Sequence, residues 1–420
     1  MLKIAFDRID VTPGNVSWIG FAAPENPLPP RDPLFARLFL LQDEEKSTLI
    51  ISLDYGGLYC SAFDLWRREL AEAVAIPENR VILHCLHQHD APFINIEAAA
   101  LLESAPDWGW FDKVRADVRN AACALREKTV EVYEVGWSET RVHGYASNRR
   151  ILMDNGRIAV RWSRCGDEEI RNKPAGVIDP MLRTLGFFGK DGSPVAAWSF
   201  YATHPQVANE GKRFSADAPG EAMRLLNERF PAMQNSLFNG CFGNITAGKY
   251  SSPEDLEGNI RHFGKLVADA VTRNLRSMER VKADSFEWKR AVFDFPARSF
   301  SESDLAELAG RAPSIAAALA AGQEYGKGGE EYALELLELG DVKILFLNGE
   351  LFIEYQLYAQ SLIPDEKLAV AGNCGDTFYY IGTAEDLSNP DGYEVKSFCR
   401  TRPEFEALFK NALKDLLCGK

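Results

Sequence analysis

Apolar positions along the chain follow two alternating rhythms. Short continuous or alternating runs rich in β-branched and aromatic residues predict strands at Lys3–Phe6, Ala36–Leu41, Thr48–Leu53, Val81–Leu86, Val130–Val135, Arg157–Trp162, Leu182–Phe188, Val195–Tyr201, Ser236–Phe238, Phe286–Phe295 and Val342–Leu347. Between them, three-to-four-residue apolar spacing predicts helices at Phe63–Val74, Phe111–Arg126, Ala218–Arg229, Leu256–Arg276, Glu302–Ala321 and Pro403–Leu417, with another opening after Glu350. Pro219 falls in a predicted first turn, where a missing N–H costs nothing.

Strands alternating with helices predict an α/β fold. The crossovers are both short and long, so a mixed sheet flanked by helices is expected rather than a purely parallel one. No internal repeat or low-complexity linker divides residues 1–420, and a single large domain is expected. Pro24–Asp32 is too short to be a domain linker, and Gly322–Gly329 (GQEYGKGG) is the expected mobile loop.

Composition narrows the function classes. Hydrophobic residues make up 46% of the chain and charged ones 26%, which suits a folded core. The net charge of −14 argues against nucleic-acid partners and anionic membranes. Asp7, Arg8 and Asp10 interrupt the N-terminus too early for a signal peptide, and no apolar run is long enough for a transmembrane helix. A cytoplasmic protein is expected. The eight cysteines form no CxxC pair and read as free thiols.

Three of the six histidines lie within VILHCLHQHDAP, residues 81–92. His87 and His89 are spaced i, i+2, so on an extended segment both imidazoles would point to one side, as metal ligands do. Cys85 shares their parity and is a candidate soft ligand, whereas His84 has the opposite parity and reads as structural. A bland alternative is a chance cluster bonded to backbone.

Other polar motifs also end predicted strands, where ligand groups of α/β sheets collect. His204 follows the VAAWSFYAT run and Glu350 follows KILFLNG; the latter suits a metal ligand, a general base or a charge at a helix start. Thr246 in GNITAG offers a hydroxyl on a glycine-flanked loop, as a nucleophile, an anion donor or part of an ordinary turn. Asp10, Asp54 and Asp217 are further strand-end acids, with Asp217 also a candidate N-cap. Arg149 and Arg150 suit either a substrate oxygen or a solvated turn. Tyr380, on its own, reads as packing.

The ordered set DVTPG, ARLFLL, SLDYGG, HQHDAP, SNRR, VIDPML, ATHP, SADAPGEA, GNITAG, NGE and YYIGTAED resembles the N-terminal catalytic domain of the neutral, non-lysosomal ceramidases over nearly the whole chain. The resemblance implies a zinc-dependent amidase that cleaves an N-acyl bond with a metal-activated water. It implies one zinc ion held by His87, His204, Glu350 and Tyr380, with His89 as catalytic neighbour, Tyr393 of DGYE near the substrate carbonyl and Arg149 contacting substrate. The expected partner is a small-molecule or lipid-like amide.

There are three departures from the family pattern. Thr246 stands where the family has a serine, the immunoglobulin-like C-terminal domain of full-length members is expected to be absent, and no export signal is seen. These bear on ceramide as substrate more than on zinc hydrolysis. The competing readings are an amidohydrolase-type barrel, which would need regular βα repeats and more histidine ligands than His143, His204 and His262 supply, and a non-catalytic binding homologue.

Overall fold

Apolar runs such as ARLFLL have no polar face, so the strands they form must be covered on both sides. In the computed structural model, which describes residues 1–14, 18–20, 22–102, 105–375 and 378–419, they are. In the Phe35–Gln42 strand, Leu38 and Leu40 pack under helices while Phe39 and Leu41 enter a core on the opposite face.

That inner core is shared by three sheets. The first has the spatial order Val81–Cys85, Ser47–Leu53, Phe35–Gln42, Lys3–Asp10 and Val130–Glu131. The second runs Gln234–Asn239, Pro194–Tyr201, Met181–Phe188, Glu134–Arg141 and Glu279–Lys282. The third runs Glu287–Asp294, Glu331–Leu339, Val342–Leu347 and Lys367–Ala371. Phe39, Trp198, Phe238, Ile344 and Phe346 meet between them. Each fully buried side chain of this kind contributes about 1.5–3 kcal/mol. The outer faces are covered by separate helices, including Ser61–Val74 and Trp108–Leu125, Asp217–Arg229 and Leu256–Ser277, and Ile353–Leu362 and Glu404–Cys418.

The three sheets share one construction. Antiparallel neighbours lead to a strand, the chain crosses over by a helix, and the next strand pairs in parallel. This happens at Ser47–Leu53 with Val81–Cys85, at Pro194–Tyr201 with Gln234–Asn239, and at Val342–Leu347 with Lys367–Ala371. The mixed sheet expected from sequence is present, in triplicate, although the sequence carries no visible repeat. The carboxyl ends of the three units are tied together. Asn239 Nδ2 donates to the Leu86 carbonyl at 2.6 Å, Asn373 Nδ2 to the Cys85 carbonyl at 2.9 Å, and the Gly372 N–H to the Asn239 carbonyl at 2.8 Å.

Several elements differ from the sequence expectation. The Val130–Val135 run breaks into two strands, Val130–Glu131 and Glu134–Arg141, which belong to different sheets. The long helix at Glu302–Ala321 is two, Glu302–Ala309 and Pro313–Tyr325, because Pro313 has no N–H to continue a helix and instead starts one. The second of these runs through Gly322 to Tyr325 and a short 3₁₀ turn follows at Gly326–Gly328, so of the expected loop only Gly329 lies outside a helix. Glu350 lies in a two-residue strand, Glu350–Leu351, and the helix begins only at Ile353. Asp376 and Thr377 of the CGDTFYY segment lie outside the described residues. Among the described residues, no helix is long and apolar enough to cross a membrane.

Candidate metal centre

The tied strand ends deliver the site. After the Val81–Cys85 strand the chain does not stay extended. His87 adopts φ 68°, and its N–H bonds the Tyr55 carbonyl at 2.8 Å. A non-glycine residue in this region is strained by roughly 1–3 kcal/mol, a cost that clusters at functional sites. His87 and His89 therefore meet through a left-handed turn, not through strand alternation, with ring centroids 5.1 Å apart. His204 follows the Pro194–Tyr201 strand, and its own N–H bonds the Ile245 carbonyl at 3.0 Å. Glu350 pairs in parallel register with Tyr380, placing the NGE and YYIGT motifs side by side. Gly349, at φ 81°, makes the turn that introduces it.

Hydrogen bonds settle which ring nitrogens face the site. His87 Nδ1 is 2.6 Å from the Gly56 carbonyl, and His204 Nδ1 is 2.9 Å from the Phe242 carbonyl and 3.0 Å from that of Ile245. Carbonyl oxygens only accept, so both Nδ1 atoms carry the proton. In the neutral rings both Nε2 atoms then present lone pairs. These point at one carboxylate oxygen: Glu350 Oε2 lies 3.3 Å from His87 Nε2 and 3.2 Å from His204 Nε2. His204 is pushed down to about 4 by burial and by the Arg149 charge, which favours its neutral form. Burial opposes charge on Glu350, and positive charge at His87 and His204 holds its carboxyl well below the usual range; with both rings neutral, that charge would have to come from a bound cation. Two lone pairs and a carboxylate meeting inside the protein call for a cation. Backbone carbonyls behind the imidazoles are the support that metal-ligating histidines generally have.

His89 completes the imidazole group. The ligand nitrogens of His87, His89 and His204 lie within 4.8 Å of one another and can hold a metal ion. Gln206 Nε2 sits 3.1 Å from His89 Nδ1, while Gln206 Oε1 accepts from Ser163 Oγ at 2.9 Å. This orientation makes Nδ1 the acceptor and puts the His89 proton on Nε2, a buried atom with no hydrogen-bond partner among the described residues. Burial, with His87 and His204 next to it, pushes His89 well below the usual imidazole range, so it is neutral. The Phe93 ring packs edge-on against both His87 and His89. Gln206 and Phe93 were not anticipated from sequence; the only cue was their nearness to His204 and His89 along the chain.

A second group stands beside the imidazoles. The Tyr380 and Tyr393 hydroxyls are 3.5 Å apart, and the His204 and Tyr380 ring centroids are 6.3 Å apart. The Arg149 guanidinium carbon is 5.0 Å from the Tyr380 ring centre and 5.3 Å from that of Tyr393. Burial raises the Tyr380 phenol well above its ordinary range, and Arg149 works against that rise. The Tyr393 ring stacks on Trp162, which is 53% exposed. Trp162 ends the expected Arg157–Trp162 run but lies beyond the observed Ile158–Val160 strand.

The remaining candidates fall elsewhere. The Thr246 hydroxyl is fully buried, donating to the Arg161 carbonyl and accepting from the Gly248 N–H, both at 3.2 Å. Its neighbour Ile245 supplies the carbonyl that orients His204. His84 is a core residue: it lies 3.3 Å from Ser52 Oγ, accepts from the Asn239 N–H and is pushed down to about 3 by burial. The Cys85 thiol is buried, and burial pushes it up, away from the thiolate form. Asp54 is committed to a buried ion pair with Arg37 at 2.8 Å, and Asp10 to Thr12. Asp217 is no N-cap: it begins its helix at φ 54° and accepts from the Ala208 N–H at 2.7 Å. Arg149 and Arg150 are buried and ion-paired, not a solvated turn.

No protein-family model and no curated protein sequence matches the chain. Solved structures do. Neutral ceramidase from Pseudomonas aeruginosa aligns with a TM-score of 0.71 at 14% identity, over 99% of this chain and 74% of that one. A ceramidase complexed with C2 aligns with a TM-score of 0.72 at the same identity and coverage. At such identity the shared property is architecture, and the expectation drawn from the ordered motifs holds at that level: this chain has the neutral ceramidase fold.

Proposed function

We propose that this protein is a zinc-dependent hydrolase of N-acyl amide bonds, with a ceramide-like lipid amide as its substrate class. The observation that carries the reading is the meeting of His87 Nε2, His204 Nε2 and Glu350 Oε2 within 3.2–3.3 Å contacts, with both Nδ1 protons held by carbonyls. Such nitrogen and oxygen donors suit zinc. His87, His204 and Glu350 would hold the ion, with Tyr380, in register with Glu350, as the fourth ligand. Bound there, zinc would supply Lewis-acid polarisation of a carbonyl and a water whose pKa is lowered to about 7.

The chain's own residues supply the rest. His89 presents an unpartnered Nε2 proton inside the site, suited to a substrate oxygen or to the departing amine nitrogen. Tyr393 and Arg149 place a hydroxyl and a positive charge together, where negative charge on a substrate carbonyl oxygen would be stabilised. This route needs no hydroxyl nucleophile, and Thr246 contributes by supporting the loop that aims His204. The exposed Trp162, stacked on Tyr393, offers an apolar wall to an acyl chain.

Elemental analysis of protein purified without chelator is expected to find about one zinc per chain. A panel of N-acyl amides and esters is expected to show hydrolysis that chelation abolishes and zinc restores. Protein that neither carries nor takes up zinc would overturn the reading. Zinc-loaded protein inert on the whole panel would favour a binding homologue.

A further inference from the structure

We propose that Glu394 is a positioning residue that fixes the Arg149 guanidinium between the Tyr380 and Tyr393 rings and locks the helix bearing Tyr393 to the same point. The inference rests on the hydrolase reading above but concerns a residue that reading does not use.

Glu394 is fully buried in the short helix Tyr393–Lys396. One carboxylate oxygen accepts from Arg149 Nε at 2.9 Å, and the other from Arg150 Nη1 at 3.1 Å. Adjacent arginines thus grip one carboxylate from a segment 245 residues away in sequence. The Arg149 side chain is 1% exposed, and that of Arg150 is 7% exposed. Arg150 reaches on to Asp386 Oδ1 and the Asp391 carbonyl, each at 2.9 Å. Arg149 Nη2 donates to the Gly243 carbonyl, so its guanidinium is pinned at two nitrogens.

Burying such a cluster is a poor way to gain stability. Desolvation of the charges offsets most of their attraction, and apolar residues of equal volume commonly do as well or better. What the arrangement does provide is fixed geometry. A guanidinium is a planar fork, and two anchored nitrogens set both its place and its tilt. Arg149 would otherwise have a flexible stem, and its charge would wander from the two phenols. Tyr393 directly precedes Glu394, so the same carboxylate also sets the end of the short helix that carries the tyrosine. A charge already in place costs no reorganisation when an oxyanion develops.

The test compares wild type, Glu394→Gln and Glu394→Asp, all zinc-loaded, with N-dodecanoyl p-nitroanilide as substrate and zinc content measured for each. For Glu394→Gln, kcat per bound zinc is expected to fall roughly 100-fold, the size seen when an oxyanion donor is lost, while KM changes less than about threefold. Glu394→Asp keeps the charge and is expected to recover at least about a tenth of wild-type kcat. A purely structural role predicts activity that tracks the folded, zinc-loaded fraction, so unchanged kcat per zinc in Glu394→Gln overturns the proposal. If Glu394→Gln does not fold, Glu394→Asp decides: its shorter reach is expected to lower kcat several-fold at unchanged zinc content, and wild-type kcat overturns the proposal. Calorimetric binding of laurate gives a readout that needs no turnover. It is expected to be about tenfold weaker in the variant, with equal affinity counting against Glu394. A wild type that binds laurate but cleaves no amide defeats the hydrolase reading and leaves this comparison standing.

Discussion

Gly243 lies so close to Glu350 that a Cβ added to it would sit 2.2 Å from the Glu350 carbonyl oxygen. The approach is held by the Gly243 N–H, which donates to the Leu351 carbonyl at 2.8 Å. The neighbouring atom is backbone, so it cannot swing aside. Gly243→Ala is expected to push the Glu350 strand away from the imidazoles. A cost of about 1–3 kcal/mol in stability is expected from overpacking, together with weaker zinc binding. Urea denaturation and zinc titration measure both, and a variant with wild-type zinc affinity would show that the contact does not hold the centre.

If the proposed zinc is bound, removing it is expected to loosen the whole fold. The proposed ligands come from separate units, with His204 and Glu350 146 residues apart. Zinc at a hundredfold excess over its Kd is expected to stabilise the protein by about 2.7 kcal/mol relative to chelated protein. His204→Ala should abolish that difference while leaving the chelated protein folded. The same zinc-dependent shift in His204→Ala as in wild type would place the ion elsewhere.

Asp217 sets a pH dependence away from the metal centre. Burial pushes its carboxyl up to about 7, helped by Asp90 and Asp32. Between the unfolded value of about 3.9 and about 7, the native state holds a proton that the unfolded chain has released. This contribution is fully present below pH 4 and is lost as the pH rises through 7. The loss is on the order of 4 kcal/mol in full, of which about 3 kcal/mol falls between pH 5 and pH 8. Asp217→Asn keeps an acceptor for the Ala208 N–H but cannot ionise. Denaturation at pH 5 and pH 8 should show a smaller decline in the variant. A residual slope should remain from Asp32, which burial raises to about 6. Equal declines would remove Asp217 as the cause.

Trp162 offers a contrast, because it is exposed and its loss leaves no cavity. Trp162→Ala is expected to change stability by less than about 1 kcal/mol. Its effect should fall on substrates with long acyl chains, raising KM about tenfold for a dodecanoyl amide and little for an acetyl amide, as loss of apolar contact implies. Equal effects on both would mean that the ring does not meet the acyl chain.

Much of this was legible in the sequence because strands buried on both faces cannot hide. ARLFLL and TLIISL are dominantly apolar runs, broken only by Arg37, Thr48 and Ser52, and the structure turns them into strands within a residue of each predicted end. The strand Glu331–Leu339 went unrecognised because Glu331, Glu335 and Glu338 interrupt its apolar run, although Glu335 is buried against Arg290. Candidate residues from His87 to Tyr393 were found by motif order, but their geometry was not. No spacing rule announces a left-handed His87, and nothing local ties Tyr380 to Glu350 in parallel register. Glu394 was passed over for a physical reason: a lone glutamate after a tyrosine looks like surface until two distant arginines are known to reach it.

The threefold recurrence of strand, helix and parallel strand has a consequence for biogenesis. Each unit can begin to order as its own segment leaves the ribosome, since its contacts are largely internal. The knot of Asn239, Cys85 and Asn373 cannot close until the third unit arrives, and Tyr380 follows later still. Metal capture at the proposed centre would therefore be a late event, available only once the chain has been synthesised past Tyr380. An ion seated there would certify that all three units are present and correctly docked.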